Sequence, residues 1–230
     1  MQISVIIPTF NEEATLPCLL SELSRLPLHE VIIADGGSTD QTWEIASVAA
    51  TGRAHRPFAV QVICAGRKRA VQLNAGAVLA SGEVYWFLHA DSRLSALNLW
   101  PIEEALEKPS VVGGGFSLEI QDPHPIFRII SFGANFRARY TNLILGDQGL
   151  FVRASAFKEL GGFNPNAMLE DVDFSDRLKE KGEIAMLKEK ISTSSRKWRT
   201  HGIVQTTLHH WKTYLAYRRL AQNNRILEMR

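Results

Sequence analysis

The residues best suited to chemistry are His89, Asp91 and Ser92, which follow an apolar segment that begins at residue 83. A short apolar run of this kind predicts a buried strand, and ligands bind beyond the carboxyl ends of strands in parallel sheets. A carboxylate at that position can hold a hard divalent ion against a diphosphate. Asp91 can instead cap a helix predicted to begin near Leu94, because Asp is a favoured N-cap residue.

Two other predicted strands end in polar residues of the same kind. Residues 3–8 and 29–35 are short, β-branched runs that favour buried strands over helices. Thr9 and Glu12 follow the first run, and Asp35 ends the second, in front of two glycines. Because the carboxyl ends of parallel strands meet at one edge of the sheet, we expect these strand ends to form one ligand crevice.

A basic run after the third predicted strand indicates the kind of ligand. Arg67, Lys68 and Arg69 follow Gly66 and precede a predicted helix over residues 70–79. Guanidinium groups and the N–H groups of a helix start suit phosphate oxygens, so we expect the crevice to bind a nucleotide. Neither GxxxxGK[ST] nor GxGxxG is present, which excludes the P-loop and the common dinucleotide fingerprint. Without the neighbouring strand ends, this run would be interpreted as a solvated loop.

Glu170 and Asp171 are the candidates for proton transfer. They stand at the predicted start of a helix that continues to Leu178. A general base must lie within reach of the proton that it removes. The simpler interpretation is that both acids only complement the positive end of the helix dipole.

The composition excludes several classes of protein. The 230 residues are 45% hydrophobic and 22% charged, with a formal net charge of +2, which is too small to indicate a nucleic-acid partner. Cys18 and Cys64 lie far apart, so the sequence predicts neither a disulfide framework nor a thiolate zinc site and suggests a reducing compartment. No run approaches the ~18 apolar residues of a membrane span. We therefore expect a cytoplasmic protein.

Alternation of strand and helix through the first 90 residues predicts βαβ units and an open parallel sheet, hence an α/β fold. The second half is less regular. It contains a predicted strand over 111–120 and predicted helices over 127–140, 154–160, 170–178 and 203–222.

Five motifs, in this order along the chain, resemble the motif series of the family 2 glycosyltransferases: Pro8-Thr9-Phe10-Asn11-Glu12, Asp35-Gly36-Gly37-Ser38-Thr39-Asp40, His89-Ala90-Asp91-Ser92, Gly161-Gly162-Phe163 and Glu170-Asp171-Val172-Asp173. Four further segments are similar to a compact, single-domain, bacterial-type subgroup of that family: Gly66-Arg67, Asn74-Ala75-Gly76, Gly146-Asp147-Gln148 and Arg196-Lys197-Trp198 through His201-Gly202.

The resemblance implies a GT-A fold with a mostly parallel central sheet flanked by helices. It implies one domain over residues 1–230, with a nucleotide-binding half to about residue 92, an acceptor and catalytic half over 93–202, and a C-terminal helix over 203–230. The implied activity is inverting transfer of one sugar from a nucleoside-diphosphate sugar, preferably UDP-linked, to an undetermined acceptor. Mg²⁺ or Mn²⁺ is the implied cofactor.

The resemblance also implies roles for individual residues. Asp91 would be the metal carboxylate on the donor diphosphate, and Asp171, beside Glu170, would be the base that deprotonates the acceptor hydroxyl. Asp147 and Gln148 would belong to the acceptor side. The residues that would bind the nucleoside and its phosphates are Pro8, Thr9, Glu12, Asp35, Arg67 and Asn74.

Two departures from the family pattern affect these expectations. The usual D-x-D triplet reads His89-Ala90-Asp91, so its first carboxylate is missing, and His89 and His201 are additional metal-ligand candidates. The Q-x-x-R-W motif of polymer-making members is absent, because Lys197 separates Arg196 from Trp198, so we expect a non-processive enzyme.

Two other functions remain open from the sequence. A sugar-phosphate nucleotidyltransferase would use a related sheet, and a catalytically silent protein would bind a nucleotide without turnover. The C-terminal helix, which carries Trp211, Tyr214 and Tyr217, can pack on its own domain or on a second subunit. It can also lie on the inner face of a membrane, where a lipid-linked acceptor would be found.

Overall fold

The computed structural model describes residues 1–52, 57–94 and 99–228, which form a seven-stranded sheet in the order β3-β2-β1-β4-β6-β5-β7. Only β6 runs antiparallel to its neighbours. The expected α/β fold with a mostly parallel central sheet is confirmed. The strands are β1 (Ile3–Thr9), β2 (Glu30–Asp35), β3 (Ala59–Cys64), β4 (Val84–Phe87), β5 (Val111–Gln121), β6 (Phe151–Arg153) and β7 (Glu183–Ser194).

Helices cover both faces of the sheet. No helix of the described chain is long and apolar enough to cross a membrane. The helices are α1 (Leu16–Leu23), α2 (Thr42–Ala50), α3 (Arg69–Leu79), α4 (Trp100–Glu107), α5 (Ile126–Thr141), α6 (Ala154–Glu159), α7 (Glu170–Leu178), α8 (Arg196–His201) and α9 (Ile203–Glu228), with a 3₁₀ turn at Gly146–Gln148.

The two sides of the sheet have separate apolar cores. Side chains alternate along a strand, so Val5 and Ile7 of β1 pack with α1, α2 and α4, whereas Ile6 packs with α3, α6 and α7. Every residue of β1, β2 and β4 is buried. Burial on both faces explains why these strands are continuous apolar runs in the sequence.

Three consecutive glycines of β5 permit close packing against β6 and the segment before it. A Cβ atom on Gly113 would lie 2.6 Å from the carbonyl oxygen of Phe151, and one on Gly115 would lie 2.7 Å from a methyl group of Ile144. Larger residues would therefore push β6 and the segment before it away from β5.

The structure differs from the sequence-based expectations at two elements. The helix predicted near Leu94 falls partly on residues 95–98, outside the described chain, and α4 begins only at Trp100, so Asp91 is not its cap. Strand β7 was not anticipated. It pairs with β5 at the sheet edge and forms an isolated bridge to Arg93 through Ser192. It carries Lys188, Glu189 and Lys190, charged residues that protect edge strands but weaken the apolar pattern.

Gly76 of α3 provides a test of how closely the helix packs on the sheet. A Cβ atom there would lie 2.6 Å from the Cγ2 methyl of Ile6. We predict that Gly76→Ala lowers the free energy of unfolding by about 1–2 kcal/mol, because overpacking outweighs the gain in helix propensity. Urea unfolding measures the change.

Gly133 of α5 is the matched control, since nothing lies within 4 Å of a Cβ atom at that position. Gly133→Ala should stabilise the protein by up to ~1 kcal/mol through helix propensity alone. Equal effects of the two substitutions would contradict the packing that we describe for α3.

Candidate functional site

The carboxyl ends of β1 and β2 are joined through Asp35. The hydroxyl group of Thr9 donates a hydrogen bond of 2.9 Å to Oδ1 of Asp35, and the backbone N–H groups of Gly37 and Ser38 donate to Oδ2 at 2.9 and 2.8 Å. Gly37 adopts a positive φ of 83°, which favours glycine. Asp35 is therefore held in a fixed position where two strands end.

The start of α3 lies against the same strand ends. The guanidinium group of Arg67 lies 4.1 Å from the ring centroid of Phe10, just after β1. The side-chain amide of Gln72 donates to the carbonyl oxygen of Arg67 at 3.3 Å. The structure thus brings together Thr9, Asp35 and Arg67, three residues that the sequence assigned to a nucleotide site.

Glu12 and Asn74 have partners within the protein. Glu12 accepts a hydrogen bond from Thr15 and pairs with Arg196 of α8 at 3.3 Å, an exposed contact of small energetic value. The amide of Asn74 donates to the carbonyl oxygen of Phe163 at 2.7 Å and accepts from its N–H at 2.9 Å. Asn74 therefore anchors the turn before α7, and its contact with a nucleotide stays a prediction.

A second cluster, which we call the Arg69 cluster, consists of Arg69, His89, Glu170 and Asp171. Arg69 pairs with Glu170, lies 3.9 Å from a carboxylate oxygen of Asp171 and contacts Nε2 of His89 at 3.2 Å. A guanidinium group only donates, so Nε2 of His89 accepts and the ring proton is assigned to Nδ1. Burial lowers the pKa of Arg69, but the two carboxylates outweigh burial and raise it.

Asp171 is fixed by backbone donors at the start of α7. Its Oδ2 accepts the N–H of Gly146 at 2.8 Å, and its Oδ1 accepts the N–H of Val172 at 2.8 Å. Burial raises the pKa of Asp171, Arg69 opposes this increase, and the charge of Glu170 adds to it. A buried carboxylate with a raised pKa is a candidate for proton transfer.

The turn before β6 fits against the Arg69 cluster because Gly146 has no side chain. A Cβ atom there would lie 2.6 Å from Nε2 of His89. Gln148 is fully buried, and its amide donates to the carbonyl oxygen of Phe116 at 3.4 Å and accepts from the N–H of Leu145 at 3.2 Å. Gln148 therefore braces the turn, and its expected contact with an acceptor stays a prediction.

Asp147 lies on this turn, and its Oδ1 is buried without a hydrogen-bond partner in the described protein. Burial raises the pKa of Asp147 to about 6. The guanidinium group of Arg137 opposes this increase, and the charges of Asp171 and Asp91 add to it. The charges of two other carboxylates thus act on Asp147.

Asp91 follows β4, and its Oδ2 accepts a hydrogen bond of 3.3 Å from the hydroxyl group of Thr193. No group of three or more His, Cys, Asp or Glu side chains in the described chain could hold a metal ion by itself. One carboxylate fits Mg²⁺ or Mn²⁺ if phosphate oxygens supply other ligands. His201, the last residue of α8, is exposed.

A cavity of about 630 Å³ connects Asp91, Asp147, Asp171, Arg69 and His89. Its far side is formed by α5, α8 and α9. The side chains that complete its lining include Leu118, Ile120, Ile126, Ile129, Ile130, Arg137, Thr193, Trp198, Thr207 and Tyr214.

The sequence did not identify two residues of this cavity. Arg69 was interpreted as part of a phosphate-binding run, yet its guanidinium group faces Glu170 and Asp171. Arg137 was not singled out at all. The available signal was its position on the helical stripe of Ile130 and Ala134, where a buried apolar residue would be typical.

Residues 4–161 match the model of glycosyl transferase family 2, so the chain belongs to this family. The protein is accordingly a glycosyltransferase with a GT-A fold, which favours glycosyl transfer over the nucleotidyltransferase that the sequence left open. A PGL/p-HBAD biosynthesis glycosyltransferase of Mycobacterium tuberculosis is 30% identical over 182 residues, covering 76% of this chain and 68% of that protein.

Two solved structures have similar folds. The S. aureus TarS 1–349 structure has a TM-score of 0.62 and 20% identity and covers 85% of this chain. The mannosyltransferase PcManGT of Pyrobaculum calidifontis has a TM-score of 0.62 and 18% identity and covers 83% of this chain. This chain spans 61% of the first structure and 56% of the second.

The coupling between Arg137 and Asp147 can be tested by titration. Arg137 is the largest charge that opposes the raised pKa of Asp147, so we predict that Arg137→Met moves this pKa above about 6. Carboxyl ¹³C chemical shifts, followed against pH and assigned through Asp147→Asn, report the change.

Arg139→Met is the control, because Arg139 is exposed on the same helix. This substitution should leave the pKa of Asp147 at its wild-type value. A shift of equal size in both variants would show that net charge, rather than the Arg137 contact, sets the pKa.

Proposed function

We propose that this protein transfers a single sugar from a nucleoside-diphosphate sugar to the hydroxyl group of an acceptor, with inversion at the anomeric carbon. One observation carries the proposal: Asp91 and the buried Asp171 face the same cavity, beside strand ends that hold Asp35 and Arg67. Crystals of TarS with UDP-GlcNAc and of PcManGT with GDP-Man and Mn²⁺ support a nucleotide-sugar donor. The preference for uridine rests on the family resemblance.

The donor would lie across the carboxyl ends of β1, β2 and β4. Pro8, Thr9 and Asp35 would face the nucleoside, because they meet where β1 and β2 end. Arg67 is exposed and would contact the phosphates, for which a guanidinium group is a suitable donor. Glu12 borders this region through its pair with Arg196.

The metal would bind between the donor and the cavity. Asp91 would supply the protein carboxylate, and the diphosphate would supply other oxygen ligands. A divalent ion held there neutralises charge on the departing diphosphate. His89 is engaged with Arg69 through Nε2, which leaves Asp91 as the stronger candidate ligand.

Asp171 would act as the general base. The acceptor hydroxyl gives its proton to a carboxylate oxygen of Asp171, and its oxygen forms a bond to the anomeric carbon. The bond between that carbon and the diphosphate oxygen breaks on the opposite face, and its electron pair leaves with the diphosphate. The N–H groups of Gly146 and Val172 hold the carboxylate in place, while Glu170 holds Arg69 beside it.

A thermal-shift screen of nucleotide sugars with Mg²⁺ or Mn²⁺ tests the donor class first, because a ligand of the native state raises the melting temperature. At least one nucleotide sugar should raise it in the presence of metal. Contact with a lipid-linked acceptor, a membrane or a second subunit stays a prediction.

The role of Asp171 can be tested by Asp171→Asn. The amide cannot accept the proton, so we predict a fall in kcat of at least roughly a hundredfold with unchanged donor affinity. Single-turnover transfer and UDP titration measure the two quantities. Asp173→Asn, on the same turn of α7, is the control and should retain activity. Normal turnover by the Asp171 variant would exclude it as the base.

The role of Asp91 can be tested by a binding measurement that does not depend on enzyme activity. We predict that Asp91→Ala abolishes the increase in UDP affinity that Mn²⁺ produces, because the protein carboxylate on the metal is lost. Titration calorimetry with and without Mn²⁺ measures this difference. If the variant keeps the wild-type metal effect, Asp91 does not hold the ion.

A further inference from the structure

The cavity beside Asp171 has an apolar side that the chemistry of transfer does not use. A diphosphate or an unsubstituted sugar has little apolar surface that would gain from burial there. The apolar wall, as we call it, combines residues of β5, α5 and α8: Leu118, Ile120, Ile126, Ile129, Ile130 and Trp198.

The residues that line the cavity also include three buried polar atoms that lack a hydrogen bond within the described chain. They are Nε of Arg137, Oδ1 of Asp147 and Oγ1 of Thr207. Buried polar atoms are nearly always hydrogen-bonded in folded proteins, so these three atoms require a partner from within the cavity, either water or a ligand. Nε of Arg137 can only donate, and an ionised Asp147 can only accept. A hydroxyl group satisfies both, because it accepts one hydrogen bond and donates another.

We propose that the acceptor is an uncharged amphipathic alcohol, with a hydroxyl-bearing head at Arg137 and Asp147 and an apolar body against the apolar wall. This inference deepens the proposed glycosyl transfer and rests on it. The site for the head and the apolar wall belong to one continuous cavity, to which α5 contributes both Arg137 and the isoleucines Ile126, Ile129 and Ile130. A single small molecule can therefore contact both.

Charge argues against an anionic head group. Asp91, Asp147 and Asp171 all line the cavity, Arg69 is already paired with Glu170 and Asp171, and the charge of Arg137 acts on Asp147. A bound donor diphosphate would add more negative charge. An acceptor that carries a phosphate or carboxylate at its reacting end would face this repulsion, whereas a neutral alcohol would not.

Three small probes test the proposal on the full chain in the presence of UDP and Mn²⁺: hexyl β-D-glucopyranoside, methyl β-D-glucopyranoside and hexyl phosphate. Titration calorimetry should show that the hexyl glucoside binds at least about tenfold more tightly than the methyl glucoside, because only the former covers the apolar wall. Hexyl phosphate should bind more weakly than the hexyl glucoside. Equal affinities of the two glucosides, or tighter binding of the phosphate, would overturn the proposal.

Three variants separate the two parts of the cavity. Ile130→Ser should reduce the preference for the hexyl glucoside, and Asp147→Asn should weaken both glucosides roughly tenfold through the lost charge-assisted hydrogen bond. Arg139→Met, exposed on the same helix as Arg137, should change neither affinity. An unchanged preference in the Ile130 variant, or unchanged affinities in the Asp147 variant, would overturn the corresponding part of the proposal.

Binding of UDP in the same samples distinguishes this inference from the function on which it rests. If the wild type binds UDP with Mn²⁺ but does not discriminate between the glucosides, the amphipathic acceptor is wrong and glycosyl transfer stands. If the wild type does not bind UDP under these conditions, the proposed UDP-dependent function fails.

Discussion

The half-buried guanidinium group of Arg69 makes the contacts on which the site depends. It belongs to the first turn of α3, yet it pairs with Glu170 and Asp171 at the start of α7 and contacts His89 after β4. Carboxylates gathered in a buried cavity repel one another and would take up protons without a compensating charge. Arg69 supplies that charge and also connects the two halves of the chain. Loss of Arg69 would leave the carboxylates of Glu170 and Asp171, which are largely shielded from water, without this partner.

The backbone around the Arg69 cluster is also held in place by hydrogen bonds and close packing. Asp171 accepts the N–H of Gly146, and the absence of a side chain at Gly146 leaves room for the ring of His89. Gln148 then ties the same turn to β5 through Phe116. The position of Asp147 therefore follows from contacts on both sides of it. The three glycines of β5 allow this arrangement, since they let β6 and the preceding segment lie close to β5.

Much of the fold could be predicted from the sequence, because β1, β2 and β4 are buried on both faces and their apolar runs are unbroken. Strand β7 could not, since an edge strand with Lys188 to Lys190 lacks that pattern. The motifs identified Asp91, Asp147 and Asp171, which the structure places on one cavity, but they did not show which basic residues face these acids. Whether Arg67 or Arg69 points to the carboxylates depends on how α3 begins. Whether Arg137 faces the cavity depends on how α5 packs. Both are tertiary properties.

The proposed function requires the donor and the base to meet at the carboxyl edge of this sheet. A crystal structure of the protein with UDP and Mn²⁺ tests it most directly. We predict that the nucleoside lies beside Thr9 and Asp35, that Asp91 is a ligand of the metal, and that Asp171 faces the open cavity. A nucleotide bound elsewhere, or a metal with no contact to Asp91, would contradict the account.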